Sequence, residues 1–439
     1  MTPPPIPPAI EPSAPDGPLG LAPRTLAPGG SLVPRLLRYI TREDRRLYVL
    51  YALLLLAFAA NEALAAAGLL PPVSFEPIRL RGAGALFILT ALLGSFLLQL
   101  GLFPSRREVI ATLLLGAAMA ALWASQGWLP EGGPEALGVP LGGAALLVAA
   151  GSVAVSRGAE RERSRQRFMA IALPPSFVIA STLGIYATVP LHPKVFDGFI
   201  RAFDVSLGVE PGLALARLVA AAPPLGFVAG RIYFAAPLAF AGLYLLQRRA
   251  RTPPPIDVLW AFALASVAGF ALYHVLPVVG PVVAMGRDPL SAPLPLAPAD
   301  APPEPRNCMP SLHTAWALLV LWNSRERGPA VRVAAALFAA FTLLATLAFG
   351  LHYLVDLVVA VPFALAVQAA VAPRSAARRI GLLAGSGATL LWLAALRTGV
   401  LVARPSVAVS WALVLLTVGA GLLLERRIWS ESLPRQAAV

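Results

Sequence analysis

The chain holds four histidines, His192, His274, His313 and His352. Imidazole changes charge near neutral pH, so it can pass a proton or offer a lone pair under ordinary conditions. His352 opens the stretch HYLVD, residues 352–356. Four positions separate it from Asp356, which puts both side chains on one face of a helix. A carboxylate in that place accepts the proton of one ring nitrogen, fixes the tautomer and leaves the other nitrogen as nucleophile or base. The same pair also reads as a structural hydrogen bond between two buried groups. The second stretch is RNCMPSLHTAW, residues 306–316. Pro310 and Ser311 mark a helix start whose free N–H groups attract anions. His313 falls in that first turn beside Arg306, Asn307 and the Ser311 hydroxyl, a set able to cradle phosphate oxygens. Taken alone, it is also a polar N-cap with an incidental histidine. Together the two stretches supply two imidazoles and one carboxylate for a single phosphorus, one ring attacking and the other protonating the leaving oxygen. No metal and no other cofactor is called for.

The elements that must position these groups are membrane helices. Of the 439 residues, 58% are hydrophobic and 13% charged, against roughly 45–50% and 25% in a soluble domain. A span needs about 20 mostly apolar residues. Such stretches lie near 47–69, 83–103, 109–128, 139–156, 168–190, 225–246, 256–277, 310–323, 332–351, 353–372, 380–397 and 406–424, with 310–323 short. The expected fold is therefore all-α and polytopic, with about 12 transmembrane helices. With the N-terminus in the cytosol, alternate threading puts 25 of the 35 Lys and Arg residues inside and nine outside, as positively charged inner loops require. Both termini are then cytosolic and all four histidines fall in the outer half. The net charge of +13 sits in short loop clusters, which argues against a nucleic-acid partner.

Residues 1–34 are Pro-, Ala- and Gly-rich and read as a disordered cytosolic tail with no signal peptide. Residues 35–160 form an accessory four-helix region, 161–373 a catalytic core of six helices, and 374–439 two more helices and a short tail. Between spans, residues 191–224 carry a short amphipathic helix suited to the membrane interface. Asp197 and Asp204 on it are candidate contacts for a polyol head group, and so are His274, Tyr273 and Arg287. Each also reads as an ordinary helix-end or surface group. His192 with Lys194 reads as an interface feature. Cys308, the one cysteine, excludes an intrachain disulfide and reads as a small packing residue.

PSLH followed some 40 residues later by HYxxD resembles the second and third signature motifs of the type 2 phosphatidic acid phosphatase superfamily. RNCMPSLHTAWALL, GLHYLVD, LYHVLPVVGP and FDGFIRAFDVSLG are most similar to its inositol phosphorylceramide synthase-like branch. The resemblance covers residues 168–372. It implies that His352 is the nucleophile of a phosphohistidine intermediate, that Asp356 orients it, that His313 protonates the leaving group, and that Ser311 helps to bind phosphate. The phosphatase branch has an Arg where this chain has Thr346, and no clean upstream Lys/Arg motif is present. Fewer cations suit a phosphodiester. The expected function is transfer of a phospho-head group, such as phosphoinositol, between membrane lipids, with a lipid alcohol or water as acceptor. Hydrolysis of phosphatidate or a polyprenyl diphosphate is the alternative within the enzymes. A transporter or flippase with a His/Asp relay is the alternative outside them. The expected place is the plasma or inner membrane, with the site on the extracytoplasmic side. Oligomeric state is not legible.

Overall fold

Prolines and glycines punctuate the apolar runs and decide where each helix starts and stops. The computed structural model describes residues 83–102, 104–127, 134–250, 254–286, 296–300, 303–402 and 406–433, with isolated positions between 49 and 68. The Pro-rich tail 1–34, most of the span 47–69 and Arg287 lie outside the described residues. Helices dominate: α1 Ala83–Gly101, α2 Arg106–Ser125, α3 Gly138–Val155, α4 Gly158–Leu191, α5 Asp197–Ser206, α6 Pro211–Ala221, α7 Pro223–Tyr233 and α8 Ala236–Arg248. They continue as α9 Val258–Val275, α10 Pro281–Met285, α11 Leu312–Asn323, α12 Pro329–Ala348, α13 Leu354–Val371, α14 Ala376–Arg397 and α15 Val407–Ser432. The one sheet among the described residues is a two-residue antiparallel pair, β1 Lys194–Val195 with β2 Ala299–Asp300.

Seven of these helices (α2, α3, α9, α12, α13, α14 and α15) are long and apolar enough to cross a bilayer, and an eighth span results if α6 and α7 count as one broken crossing. The protein is an all-α polytopic membrane protein. Leu114, Leu383, Leu391, Leu416 and Leu423 are each at least 66% exposed, which water would not tolerate on this scale but lipid does. The expected spans at 83–103 and 168–190 fall on α1 and α4, and 310–323 on the short α11. The expected span 225–246 is not continuous. It is broken at residues 234–235 into α7 and α8, while α6 and α7 meet at 117°. The prolines that open α6, α7 and α8 explain this, since proline suits a first turn and cannot continue a preceding helix.

The centre of the bundle is α13. All of its residues except Leu354, Ala366 and Ala370 are buried, in contact with α5, α9, α11, α14 and α15. Asn323 of α11 and Gln368 of α13 are both buried and pin the two helices by a 2.9 Å hydrogen bond from Asn323 Nδ2. A buried apolar cluster (Ile200, Phe203, Val278, Met309, Tyr353, Val355, Trp392 and Val414 among its members) ties α5 and two loops to α13, α14 and α15. At the other flank, α1 packs on α3, α4 and α8.

Candidate functional site

Three chain segments converge where α11 starts, α12 ends and α13 starts. The backbone N–H of Ser311 donates to Asp356 O at 3.3 Å, that of Cys308 to Val278 O at 3.1 Å, and that of Val282 to Gly350 O at 2.9 Å. Close approach needs glycine at two points. Gly350 turns the chain out of α12 with φ +64, and Gly280, at φ +90, lies so near Leu351 that a Cβ would stand 2.5 Å from its carbonyl oxygen. L-residues with side chains rarely adopt such angles.

His352 emerges from this turn with its N–H on Thr346 O at 3.2 Å, and its side chain is buried. Asp356 stands at the third position of α13, where Oδ2 accepts the Tyr353 N–H at 2.8 Å and so caps the helix. The same oxygen lies 3.2 Å from His352 Nδ1. The Cys308 thiol donates to it at 2.7 Å and lies 3.3 Å from His352 Nδ1. Asp356 Oδ1 is buried with no hydrogen-bond partner among the described residues. Cys308, expected to be mere packing, is thus part of the polar cluster. Nothing in its spacing signalled this, because its partners are more than 40 residues away.

His313 occupies the first turn of α11, stacked on Tyr233 with ring centroids 3.8 Å apart, and beside Trp316 and Phe87. Its Nε2 is buried without a partner among the described residues. Ser311 is buried and caps α11, its hydroxyl accepting the Thr314 N–H at 3.3 Å. Pro310 stands before the cap, joined to Met309 by a cis peptide, and so is not in the helix's first turn as expected.

The other expected site residues are placed differently. Arg306 is 2% exposed; its N–H donates to Thr188 Oγ1, Nε to His192 O at 3.0 Å, and a terminal nitrogen to Glu304 O. It acts as a strut at the end of α4. Asn307 is half-buried between that strut and Cys308. His274 pairs with His192, Nδ1 to Nε2, at 2.9 Å. Tyr273 is buried against the backbone of Leu312. Asp197 accepts the N–H groups of Val279 and Gly280 and the Tyr353 hydroxyl, at 3.1, 2.9 and 3.0 Å. Asp204 accepts those of Leu354 and Val355 at 2.7 and 3.0 Å. The amphipathic helix α5 therefore turns both acids into the protein, where they bind backbone instead of presenting themselves to a head group. Burial pushes Asp197 up to about 6 and Asp204 up to about 7, with the charge of Asp356 adding to both and the N–H donors opposing.

A cavity of about 250 Å³ opens beside His352 and Tyr353. Val209, Leu213, Val282, Met285, Leu347 and Phe349 give it a greasy wall, and Arg201, ion-paired with Glu210, brings a cation to it. Sequence reasoning gave Arg201 no site role. Polar floor and apolar wall fit an ester whose phosphate meets the imidazole while its chains stay in hydrocarbon.

Residues 198–370 match the PAP2 superfamily. The PAP2 segment runs from α5 to the last residues of α13, so it contains Arg201, Cys308, His313, His352 and Asp356. It supports a phosphatase- or phosphotransferase-type function on lipids. No curated protein and no solved structure matches the chain.

Proposed function

We propose that the protein transfers a phospho-head group, such as phosphoinositol, from one membrane lipid to another through a covalent intermediate on His352, in the manner of the inositol phosphorylceramide synthase-like branch. The observation that carries this reading is the Asp356–His352 contact at the floor of an amphipathic cavity. Asp356 takes the Nδ1 proton as a hydrogen bond and keeps the Nε2 lone pair free. Nε2 attacks phosphorus, the bond from phosphorus to the donor's lipid oxygen breaks, and His313 delivers the proton that oxygen needs. A hydroxyl of the acceptor lipid then attacks phosphorus, the phosphorus–nitrogen bond breaks with its electron pair returning to Nε2, and the hydroxyl proton goes to His313. Arg201 and the N–H groups at the start of α11 offset the phosphate charge. Arg201 shares its charge with Glu210 at the same cavity, and so small a net positive charge suits a singly charged diester better than a dianionic monoester. The bias of positive charge toward the inner loops supports a site on the extracytoplasmic side. The membrane proposed for the protein is the plasma or inner membrane.

The test is incubation of purified protein with head-group-labelled phosphatidylinositol, with and without ceramide or diacylglycerol. The expected result is labelled head group on the acceptor and a transient, acid-labile label on the protein that is lost in His352→Gln. A protein label unaffected by that substitution removes the mechanism. Release of inorganic phosphate from phosphatidate, with phosphatidylinositol untouched, puts monoester hydrolysis in its place.

A further inference from the structure

We propose that Cys308, His352 and Asp356 form a binding site for a soft or borderline divalent cation of the zinc and cadmium class, and that filling it silences His352. A thiol sulfur, an imidazole nitrogen and a carboxylate oxygen, one from each residue, lie within 4.8 Å of one another and all three residues are buried. Sulfur, nitrogen and oxygen donors together are the ligand set of this metal class. Two edges of the donor triangle, Sγ to Nδ1 at 3.3 Å and Nδ1 to Oδ2 at 3.2 Å, are close to the roughly 3.3–3.7 Å between ligands of a tetrahedral ion with bonds of about 2.0–2.3 Å. The third, Sγ to Oδ2 at 2.7 Å, is shorter, with the thiol donating to the carboxylate. An ion takes the thiol proton's place and the edge opens. An independent feature points to a missing ligand: Asp356 Oδ1 is buried and has no partner among the described residues. Of the three ligands His352 lines the neighbouring cavity, which gives an ion a route to the site.

The proton balance gives the consequence. The thiol proton leaves to solvent. The metal takes the Nδ1 lone pair, so the imidazole proton moves to Nε2 by exchange through cavity water and the ring stays neutral. A protonated Nε2 has no lone pair with which to attack phosphorus. This inhibitory effect rests on the proposed role of His352; the binding itself does not.

Full-length protein in detergent is titrated with cadmium chloride, and the ultraviolet thiolate-to-cadmium charge-transfer absorbance is followed. The expected result is saturation at one equivalent, loss of the band in both Cys308→Ser and Cys308→Ala, and a midpoint about tenfold or more weaker in Asp356→Asn and His352→Gln, as loss of one ligand or its orienter costs. Size-exclusion elution and thermal unfolding check that each variant is folded. If the band is missing in wild type, or keeps its midpoint in both Asp356→Asn and His352→Gln, the thiol acts alone and the site is refuted. In the activity arm, zinc inhibits wild type reversibly with EDTA, and Cys308→Ser, judged against its own metal-free rate, resists about tenfold more metal. Binding without any transfer activity overturns the proposed function and leaves the site standing. Activity without binding does the reverse.

Discussion

A carboxylate beside an imidazole helps catalysis only if its remaining bonds hold it still. Asp356 meets this condition with three donors on one oxygen, the Tyr353 N–H, the Cys308 thiol and His352 Nδ1. Replacing it by asparagine swaps an acceptor for an amide that can donate to Nδ1 and so favours the tautomer with its proton on Nε2. Asp356→Asn is expected to lower kcat by on the order of 10²–10⁴ with little change in KM, because the tautomer and not the lipid contact is lost. Steady-state kinetics on the purified variant check this. An unchanged kcat would mean that the pair is structural. His313 differs in kind: its ring is clamped by Tyr233 and Trp316 while Nε2 has no partner among the described residues. Such a nitrogen is held in place yet unspent, which suits an acid that meets only the substrate.

At the scale of elements, α5 is the clamp of the site. Its two acids bind the start of α13 and the turn before α10, and its apolar residues Ile200 and Phe203 sit in the cluster shared with α13, α14 and α15. Burial holds the proton on Asp204 up to about pH 7, whereas an unfolded aspartate gives it up near about pH 4. Between those values the folded chain binds the proton and the unfolded chain does not. The stability owed to this group is therefore full at the acid end and falls as pH rises toward 7. Asp204→Asn is expected to flatten that part of the dependence, read from thermal unfolding midpoints in detergent across pH 4 to 7. A slope equal to wild type would show that other groups set it. Gly280→Ala tests the neighbouring turn. A Cβ there combines φ +90 with a 2.5 Å approach to Leu351 O, so destabilisation of about 1–3 kcal/mol is expected from strain of this kind. The same unfolding assay measures it, and a neutral substitution would mean that the turn relaxes freely.

Among the described residues, helices with exposed apolar faces surround the buried helix α13. At 34 residues, α4 is about 50 Å long at 1.5 Å per residue, more than the roughly 30 Å of hydrocarbon. A crossing by α4 would leave its ends on opposite sides of the membrane. Arg161, exposed near its start, belongs to the charged inner set, and Lys194, exposed just past its end, to the site face. In a Cys308→Ala background, Lys194→Cys is expected to react with a membrane-impermeant maleimide on intact cells. Arg161→Cys reacts only after permeabilisation. The opposite pattern would put the site in the cytosol. The flanking helices matter to the site as well: α15 carries the buried Glu425, ion-paired with Arg325 after α11, and α1 brings Phe87 against His313.

Much of this was legible in the residues alone. Long apolar runs decide for helices in lipid because only helices and closed barrels satisfy backbone polar groups there, and barrel strands are short and alternate in polarity. The step from His352 to Asp356 suggested one face of a helix. The two do meet, but through a cap, with His352 in the turn before α13 and Asp356 binding the Tyr353 N–H at that helix's start. Tertiary packing alone decided the rest. Arg306 and Asn307 neighbour the motif in sequence, yet Arg306 turns its guanidinium to the His192 carbonyl at the end of α4 and to the Glu304 carbonyl of its own loop. Arg201 is more than 100 residues from either motif, yet it is the cation at the cavity. Asp197 and Asp204 read as polar punctuation of an amphipathic helix, whose moment says which face is apolar but not what that face meets. Cys308 touches Asp356 because three backbone segments close on one another, and no periodicity within any one of them encodes that contact.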